Sequence, residues 1–342
     1  MENMETRGIK EVARHAGVSL GTVSNVLNRP HVVAENTRQR VLEAIRELGY
    51  VRNDSARQLR AGRSRTIAIV VLDVSNPFFT DVIRGAEEAI EAAGAVAVVC
   101  NSGQSVSRER RHLELLEEQR VQGILITPVD GGRDSQLINL IKHGVPVVLV
   151  DRGIGQSGRC SVAVDDVLGG RLAGQHFREL GHERVAFVGG PLAIPQVNDR
   201  QRGFESVLSD IQVLTFLTAE LTVAAGRQAG ATIADLPAAE RPTAVFCAND
   251  LLALGLLQEM TQREISVPGD VAILGYDDID FAAAAAVPLS SVRQPREQLG
   301  RAAAELLLEE TRFPETHAHR NLVFHPELVA RKSTMRPTSP RR

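Results

Sequence analysis

The residues with chemical reach fall into two separate groups. Ser19, Thr22, Ser24, Asn25 and Asn28 place small hydroxyls and amides a few positions apart near the start of the chain. Groups of this kind bond phosphate oxygens and base edges. A second set recurs after short apolar runs. Ser75-Asn76-Pro77-Phe78-Phe79 follows TIAIVVLDV, Asp151-Arg152 follows VPVVLV, and a polar loop containing Asp199-Arg200 follows RVAFVGG. Asn249-Asp250 follows TAVFCA, Asp277-Asp278 follows VAILGY, and Gln294 follows SSVR. Sugar hydroxyls need both donors and acceptors, which Asp, Arg, Asn and Gln supply. An aromatic face can pack on the ring. Taken singly, a Phe is usually core and an Asp after a strand usually caps a helix. The repetition across separate runs is what points to a shared ligand. Enzyme chemistry has less support, because no GxSxG, P-loop or metal-spaced His/Cys cluster is visible. Gly189-Gly190-Pro191 and Val167-Leu168-Gly169-Gly170 read as turn and helix-packing features. Asp165 and Asp166 read as caps or crossover contacts. No catalytic group, cofactor or metal is expected.

Two kinds of element must position these groups. Residues 8–50 read as three short helices: Ile9–His15, then Leu20–Leu27 behind the N-cap Ser19, then about Glu35 to Leu48 with Gly49 as its stop. In the last of these, Val41, Leu42, Ile45 and Leu48 recur at helical spacing. Gly17 permits a tight turn and Val18 plugs the corner, so the first two helices have helix-turn-helix organisation. Leu20, Gly21 and Asn25 then share the outer side of the second helix, with Val23, Val26 and Leu27 inward. Ser19, Thr22, Ser24 and Asn28 suit phosphate contact, aided by the helix N-terminus. A three-helix protein–protein module is the competing reading. Residues 51–65 are polar and basic and read as a linker with one weak helical segment, Ser55–Ala61.

From Thr66 onward, near-continuous apolar runs alternate with amphipathic stretches such as Phe79–Ala93, Ser107–Gln119, Val167–Leu180 and Leu251–Gln262. This pattern predicts parallel sheets covered by helices on both faces. The number of runs predicts two similar lobes. Ligands in such folds sit beyond the carboxyl ends of strands, where the second set of residues falls. RKSTMRPTSPRR reads as a frayed tail.

The chain has 342 residues, 43% of them hydrophobic, which is enough for two or three packed cores. Its charge is uneven. Residues 1–65 hold 12 Lys or Arg against 7 Asp or Glu, and the remainder holds 27 against 35. A basic head on an acidic body fits a polyanionic partner for the head alone. Cys100, Cys160 and Cys247 are odd in number and widely spaced, as expected of free thiols in a reducing compartment. Met1–Lys10 holds no apolar signal core, and the apolar runs are too short to span a bilayer. A cytoplasmic location is expected.

EVARHAGVS, TVSNVLN, VVAENTRQRV and IRELGY closely resemble the headpiece of the lactose-repressor (LacI/GalR) family. The likeness continues through RNDSARQLRAGRSRTIAIV to HPELVARKST. It implies a sequence-specific transcriptional regulator whose second helix enters the major groove. On that resemblance Leu20, Gly21 and Asn25 hold the base-reading positions, with Asn25 the main polar reader. Residues 51–65 become a hinge helix in which Leu59 wedges the minor groove. Asn53 and Arg57 flank it, and Tyr50 braces the head. The body also resembles ribose-type periplasmic binding proteins at NPFF, VDR, VDDVLGG, RQRGF, AND, GYD and the Gln of VRQP. That likeness implies an effector set of Asn76, Phe78, Phe79, Asp151, Arg152, Arg200, Asn249, Asp277 and Gln294. Leu221, before Ala224-Ala225-Gly226, stands where such proteins often have an aromatic.

The fold expectation is therefore an α/β protein. An all-α helix-turn-helix head spans 8–50, a linker 51–65, and a body of two Rossmann-like parallel sheets 66–335. Lobe 1 covers about 66–164 and 293–322; lobe 2 covers about 165–292 and 323–335. The functional expectation is a repressor released from a pseudo-palindromic operator by a monosaccharide, such as ribose or another pentose. A purine- or nucleoside-responsive repressor of the same family is the alternative, and a sugar-binding transport component a further one. A homodimer is expected, with Leu251–Gln262 either a contact surface between the copies or simply part of the core.

Overall fold

The computed structural model describes residues 8–50, 64–130, 135–152 and 158–335. The chain divides into two compact units, with the division between Ser64 and Arg65. The linker positions Asn53, Arg57 and Leu59, and the expected segment Ser55–Ala61, lie outside the described residues.

In the head, α1 (Ile9–His15), α2 (Leu20–Asn28) and α3 (Glu35–Leu48) enclose Val12, Ala13, Val23, Val26, Val41 and Ala44. Gly17 turns the chain at φ 64°, and Gly49 ends α3 in the same left-handed region, both conformations that favour glycine. Val18 packs on this core, and its N–H bonds the Ala13 carbonyl at 3.0 Å. Leu42 is exposed, contrary to the expected stripe, and Ala44 holds the buried position instead. Tyr50 packs against the same core.

Among the described residues the body contains two six-stranded sheets. The strands are β1 (Thr66–Val71), β2 (Val96–Asn101), β3 (Gly123–Ile126), β4 (Val147–Val150), β5 (Cys160–Val164) and β6 (Arg184–Gly189). They continue with β7 (Gln212–Leu217), β8 (Ala244–Cys247), β9 (Ala272–Asp277), β10 (Ser290–Arg293), β11 (Asn321–Phe324) and β12 (Glu327–Val329). Sheet order is β11-β5-β4-β3-β1-β2 in one lobe and β12-β10-β9-β8-β6-β7 in the other. All pairings are parallel except β10 with β12. The last crossing between lobes falls after Phe324, slightly beyond the expected boundary.

The covering helices are α4 (Pro77–Ala92), α5 (Val106–Glu118), α6 (Ser135–Lys142), α7 (Asp166–Glu179), α8 (Pro195–Ser206) and α9 (Val223–Ala234). They continue with α10 (Asp250–Gln262), α11 (Asp280–Ala284) and α12 (Arg296–Arg312). Strand interiors such as Ile67–Val71 and Val185–Val188 are buried, which explains their unbroken apolar runs. The Gly169-Gly170 pair serves close packing between α7 and α8: a Cβ at Gly170 would overlap the Arg200 carbonyl oxygen.

Two expectations change, and one alternative is decided. Arg200 lies on a helix rather than in a polar loop. Most of α10 is core: Leu252, Ala253, Leu256, Leu257 and Met260 are buried, which decides for the core role of this helix over the dimer surface. The beginning of the supposed tail is also fixed. Ser333 and Thr334 are fully buried, with Ser333 Oγ bonding the Ile273 carbonyl and Thr334 Oγ1 bonding Ser290 and His176.

Candidate functional site

The head presents its polar surface on α2. Leu20 is 45% exposed, and Gly21 and Asn25 are also exposed, so the three expected base-reading positions share an accessible surface. Ser19 caps the helix by accepting from the Thr22 N–H at 3.1 Å, and its hydroxyl also bonds the Thr22 hydroxyl at 2.9 Å. Asn28 donates to the Ser24 carbonyl at 2.9 Å, so its amide is partly committed to the helix. The Asn25 side chain is the long polar group that this face offers a base edge.

The body has a narrow cleft of about 40 Å³ lined from both lobes. Asn76, Phe78 and Phe79 come from the start of α4, and Asp151 from the end of β4. Arg200 comes from α8, Leu221 from the turn before α9, Asn249 from the cap of α10 and Asp277 from the end of β9. Asn76 caps α4 by accepting from Phe78 N–H at 3.0 Å, and this orients the two rings. Phe78 and Phe79 meet edge to face with centroids 5.0 Å apart. Asp151 and Asp277 leave their strands with φ of 53° and 105°. Such unusual backbone is tolerated where surrounding structure enforces it, and it clusters at binding sites.

Arg200 is the electrostatic centre of the cleft. Its Nε donates to Asp166 Oδ1 at 2.8 Å and its Nη1 to the Ala248 carbonyl at 2.8 Å. The same Nη1 stands 4.0 Å from Asp277 Oδ1, and the guanidinium lies 3.7 Å from the Tyr276 ring centroid. Burial opposes the Arg200 charge, but Asp166, Tyr276, Asp277 and Asp151 together hold its pKa above the ordinary value. Burial pushes Asp277 up to about 6, against the pull of Arg200 and a hydrogen bond from Gln294 at 2.7 Å. Burial also raises Asp166, with Arg200 opposing. Asp151 is raised by burial and by the nearby Asp166 charge. Asn249 accepts from Leu252 N–H at 3.0 Å and donates to the Leu221 carbonyl at 3.1 Å.

Two expected ligand groups are not on the cleft wall. Gln294 stands behind Asp277 and orients its carboxylate. Arg152 is half-buried and does not line the cleft. Asp165 is a cap, accepting from Leu168 N–H at 2.9 Å, whereas Asp166 holds Arg200. Sequence reasoning missed Gln196, which lines the cleft and donates from lobe 2 to the carbonyl and carboxylate of Asp151 in lobe 1. Its signal was available: Gln196 lies four residues before Arg200, on the same side of a helix.

Residues 8–53 match the family described as bacterial regulatory proteins, lacI family, and residues 175–334 match the periplasmic binding protein-like domain. The HTH-type transcriptional repressor PurR of Photobacterium profundum is 34% identical over 335 residues, covering 95% of this chain and 98% of that protein. The lac repressor dimer bound to operator and the anti-inducer ONPF superposes with a TM-score of 0.81 at 26% identity, over 97% of this chain and 100% of that one. A LacI family transcriptional regulator from Enterococcus faecium with bound ribose gives 0.71 at 30% identity, over 79% of this chain and 98% of that one. These matches account for the helical head and the two-sheet body in one continuous chain. The chain belongs to the lacI family of bacterial regulatory proteins, as a DNA-binding transcriptional repressor with a small-molecule effector and not an enzyme.

Proposed function

We propose that the effector is a small polyhydroxylated ring, a pentose such as ribose, whose binding releases the repressor from a pseudo-palindromic operator. The observation that carries this reading is the wall of Asn76, Asp151, Arg200, Asn249 and Asp277 beside Phe78 and Phe79. It combines hydroxyl acceptors, a forked donor and an aromatic face in one cleft between the two lobes. Asp151 Oδ1 is buried without a hydrogen-bond partner among the described residues, so it can accept a ligand hydroxyl. Leu221 closes the pocket with an aliphatic side chain. In this reading Asn76, Phe78, Phe79, Asp151, Arg200, Leu221, Asn249 and Asp277 touch the ligand, while Gln294 and Gln196 position two of the carboxylates.

The curated relatives favour the second reading over the first. Their name, PurR, points to a purine or nucleoside effector, and a nucleoside could place its ribose on these same groups. Calorimetric titration with ribose, other pentoses, adenine, guanine and their nucleosides separates the two, paired with operator-release assays. Binding of a free pentose together with operator release supports the first reading. Binding of a purine base without any sugar binding replaces it with the second.

For the head, we infer that Asn25 reads a base edge and Leu20 contacts a thymine methyl. Ser19, Thr22, Ser24 and Asn28 take phosphates, and Tyr50 braces the head. By resemblance, Asn53, Arg57 and Leu59 complete the DNA contacts. The working unit is a homodimer in the cytoplasm. No helix among the described residues is long and apolar enough to cross a membrane.

A further inference from the structure

We propose that Cys160, Glu310, His317 and His319 form a tetrahedral binding site for a divalent transition metal of the zinc(II) class. Cys160 opens β5, Glu310 lies in the last turn of α12, and the two histidines lie in the segment between α12 and β11. One potential ligand atom from each of the four residues lies within 4.8 Å of every other. Cys160 Sγ is 3.1 Å from His317 Nε2 and 3.9 Å from His319 Nδ1. Zinc bonds of about 2.3 Å to sulfur and about 2.0–2.1 Å to nitrogen, at a tetrahedral angle, set sulfur and nitrogen roughly 3.6 Å apart. The observed distances bracket that value.

A second observation is independent of this spacing. The His317 side chain is 1% exposed, and its Nδ1 has no hydrogen-bond partner among the described residues. That nitrogen faces Glu309 Oε1 at 3.6 Å, and Arg320 bonds the other oxygen of Glu309. A fixed carboxylate behind a histidine is what orients a metal ligand and sets its tautomer. Glu310 Oε2 is likewise buried and unpartnered among the described residues. Arg320 N–H donates to Cys160 Sγ at 3.3 Å, as suits a sulfur carrying negative charge. A hydrogen-bonded cluster of these side chains leaves a buried carboxylate oxygen unsatisfied; a divalent cation satisfies thiolate, carboxylate and both imidazoles together.

The donor set selects the metal. One sulfur, two imidazole nitrogens and one oxygen suit zinc(II), whereas calcium and magnesium call for oxygen throughout. Four protein ligands leave no open position, so the role is structural. The site lies at the amino end of β5, the opposite end of the parallel sheet from the effector cleft. A bound metal ties the 313–320 segment to β5 and thereby fixes the edge strand β11.

The test uses the full-length protein, reduced and stripped of metal by chelation, and titrated with cobalt(II) and then zinc(II). The expected result is one cobalt(II) per chain, with the intense visible bands of a tetrahedral complex and a thiolate-to-cobalt band in the near ultraviolet. Zinc(II) displaces the cobalt and raises the melting temperature. His319→Ala removes an exposed ligand with little risk to folding, and it abolishes both the spectrum and the melting shift. Cys160→Ala abolishes the thiolate band, and Glu309→Gln weakens cobalt binding about ten-fold. A wild-type protein that gives no tetrahedral spectrum overturns the site. So does a spectrum and melting shift that survive unchanged in His319→Ala.

Discussion

Arg200 and Asp277 carry the sharpest residue-level expectations, because both are buried and each balances the other. Arg200→Ala removes the cation that Asp166, Asp151 and Asp277 surround. Breaking a buried pair from one side costs about 3–5 kcal/mol. The variant is therefore expected to melt well below wild type in a thermal unfolding experiment, and an unchanged melting temperature argues against the buried network. Asp277→Asn is milder, since it keeps the shape and the Gln294 neighbour while removing an acceptor for paired hydroxyls. Effector affinity should fall at least about ten-fold by calorimetry, with operator binding retained. Wild-type-like affinity in this variant removes Asp277 from the site. Asp277 also predicts a pH dependence. Its pKa is raised from 3.8 to about 6, so ionisation is resisted in the folded state. The associated cost to stability is absent below the ordinary value, builds as pH rises between the two values, and reaches roughly 3 kcal/mol. A ligand that donates hydroxyl hydrogens to Asp277 binds the ionised form better. Effector affinity should therefore rise about ten-fold from roughly pH 5 to pH 7 and then level off. A flat profile across that range rules out a carboxylate acceptor at this position.

At the scale of elements, packing between α7 and α8 holds Arg200 in place. Gly170 and Gly203 let the helix backbones approach, since a Cβ at Gly203 would overlap the Val167 carbonyl oxygen. Gly170→Ala should force the helices apart and displace Arg200, lowering effector affinity and stability by about 1–3 kcal/mol each. A variant with wild-type affinity shows that the helix spacing does not set the site. The same helix pair shows what the sequence could and could not reveal. Strands β1, β4, β6, β8 and β9 were legible because both faces are buried, so their apolar runs are unbroken. The groups beyond them were legible for the same reason, as polar punctuation after each run. The sequence of α8 reads as a loop because part of its inward face is polar: Gln196 and Arg200 line the cleft, and that replaces the apolar periodicity on which a helix assignment rests. Ser333 and Thr334 read as tail in the sequence because small hydroxyls buried by hydrogen bonds leave no hydrophobic signal. In the Cys160 cluster Glu310, His317 and His319 lie close in the chain, but Cys160 is far from them, so no complete ligand pattern is visible in the sequence.

For the whole molecule, the pseudo-palindromic operator proposed above requires two heads, because it presents two half-sites related by a two-fold axis. The surface that joins two copies must be apolar and accessible, and α10 does not qualify, since its apolar residues are mostly internal. Strand β2 offers what α10 lacks. It is the edge of its sheet, and Val96, Val98 and Val99 are 61%, 40% and 43% exposed. Exposed apolar edge strands are normally covered or charged, and a second copy related by a two-fold axis, as in the homodimer proposed above, is the cover this edge fits. Val96 and Val98 lie two residues apart and so share one face of the strand. The double substitution Val96→Lys with Val98→Lys places like charges on that face of both copies and changes no residue of the cleft or of the head. Sedimentation at micromolar concentration should show a dimer for wild type and a monomer for the variant. Effector binding should persist, since each cleft is built within one chain. Operator affinity should fall steeply, because two linked heads engage together and a single head loses the benefit of high effective concentration. The residual binding should have a shallower dependence on salt, since fewer phosphates are neutralised per bound species. A variant that sediments as a dimer and binds operator like wild type places the interface elsewhere, and a wild-type tetramer in the absence of DNA overturns the dimer itself.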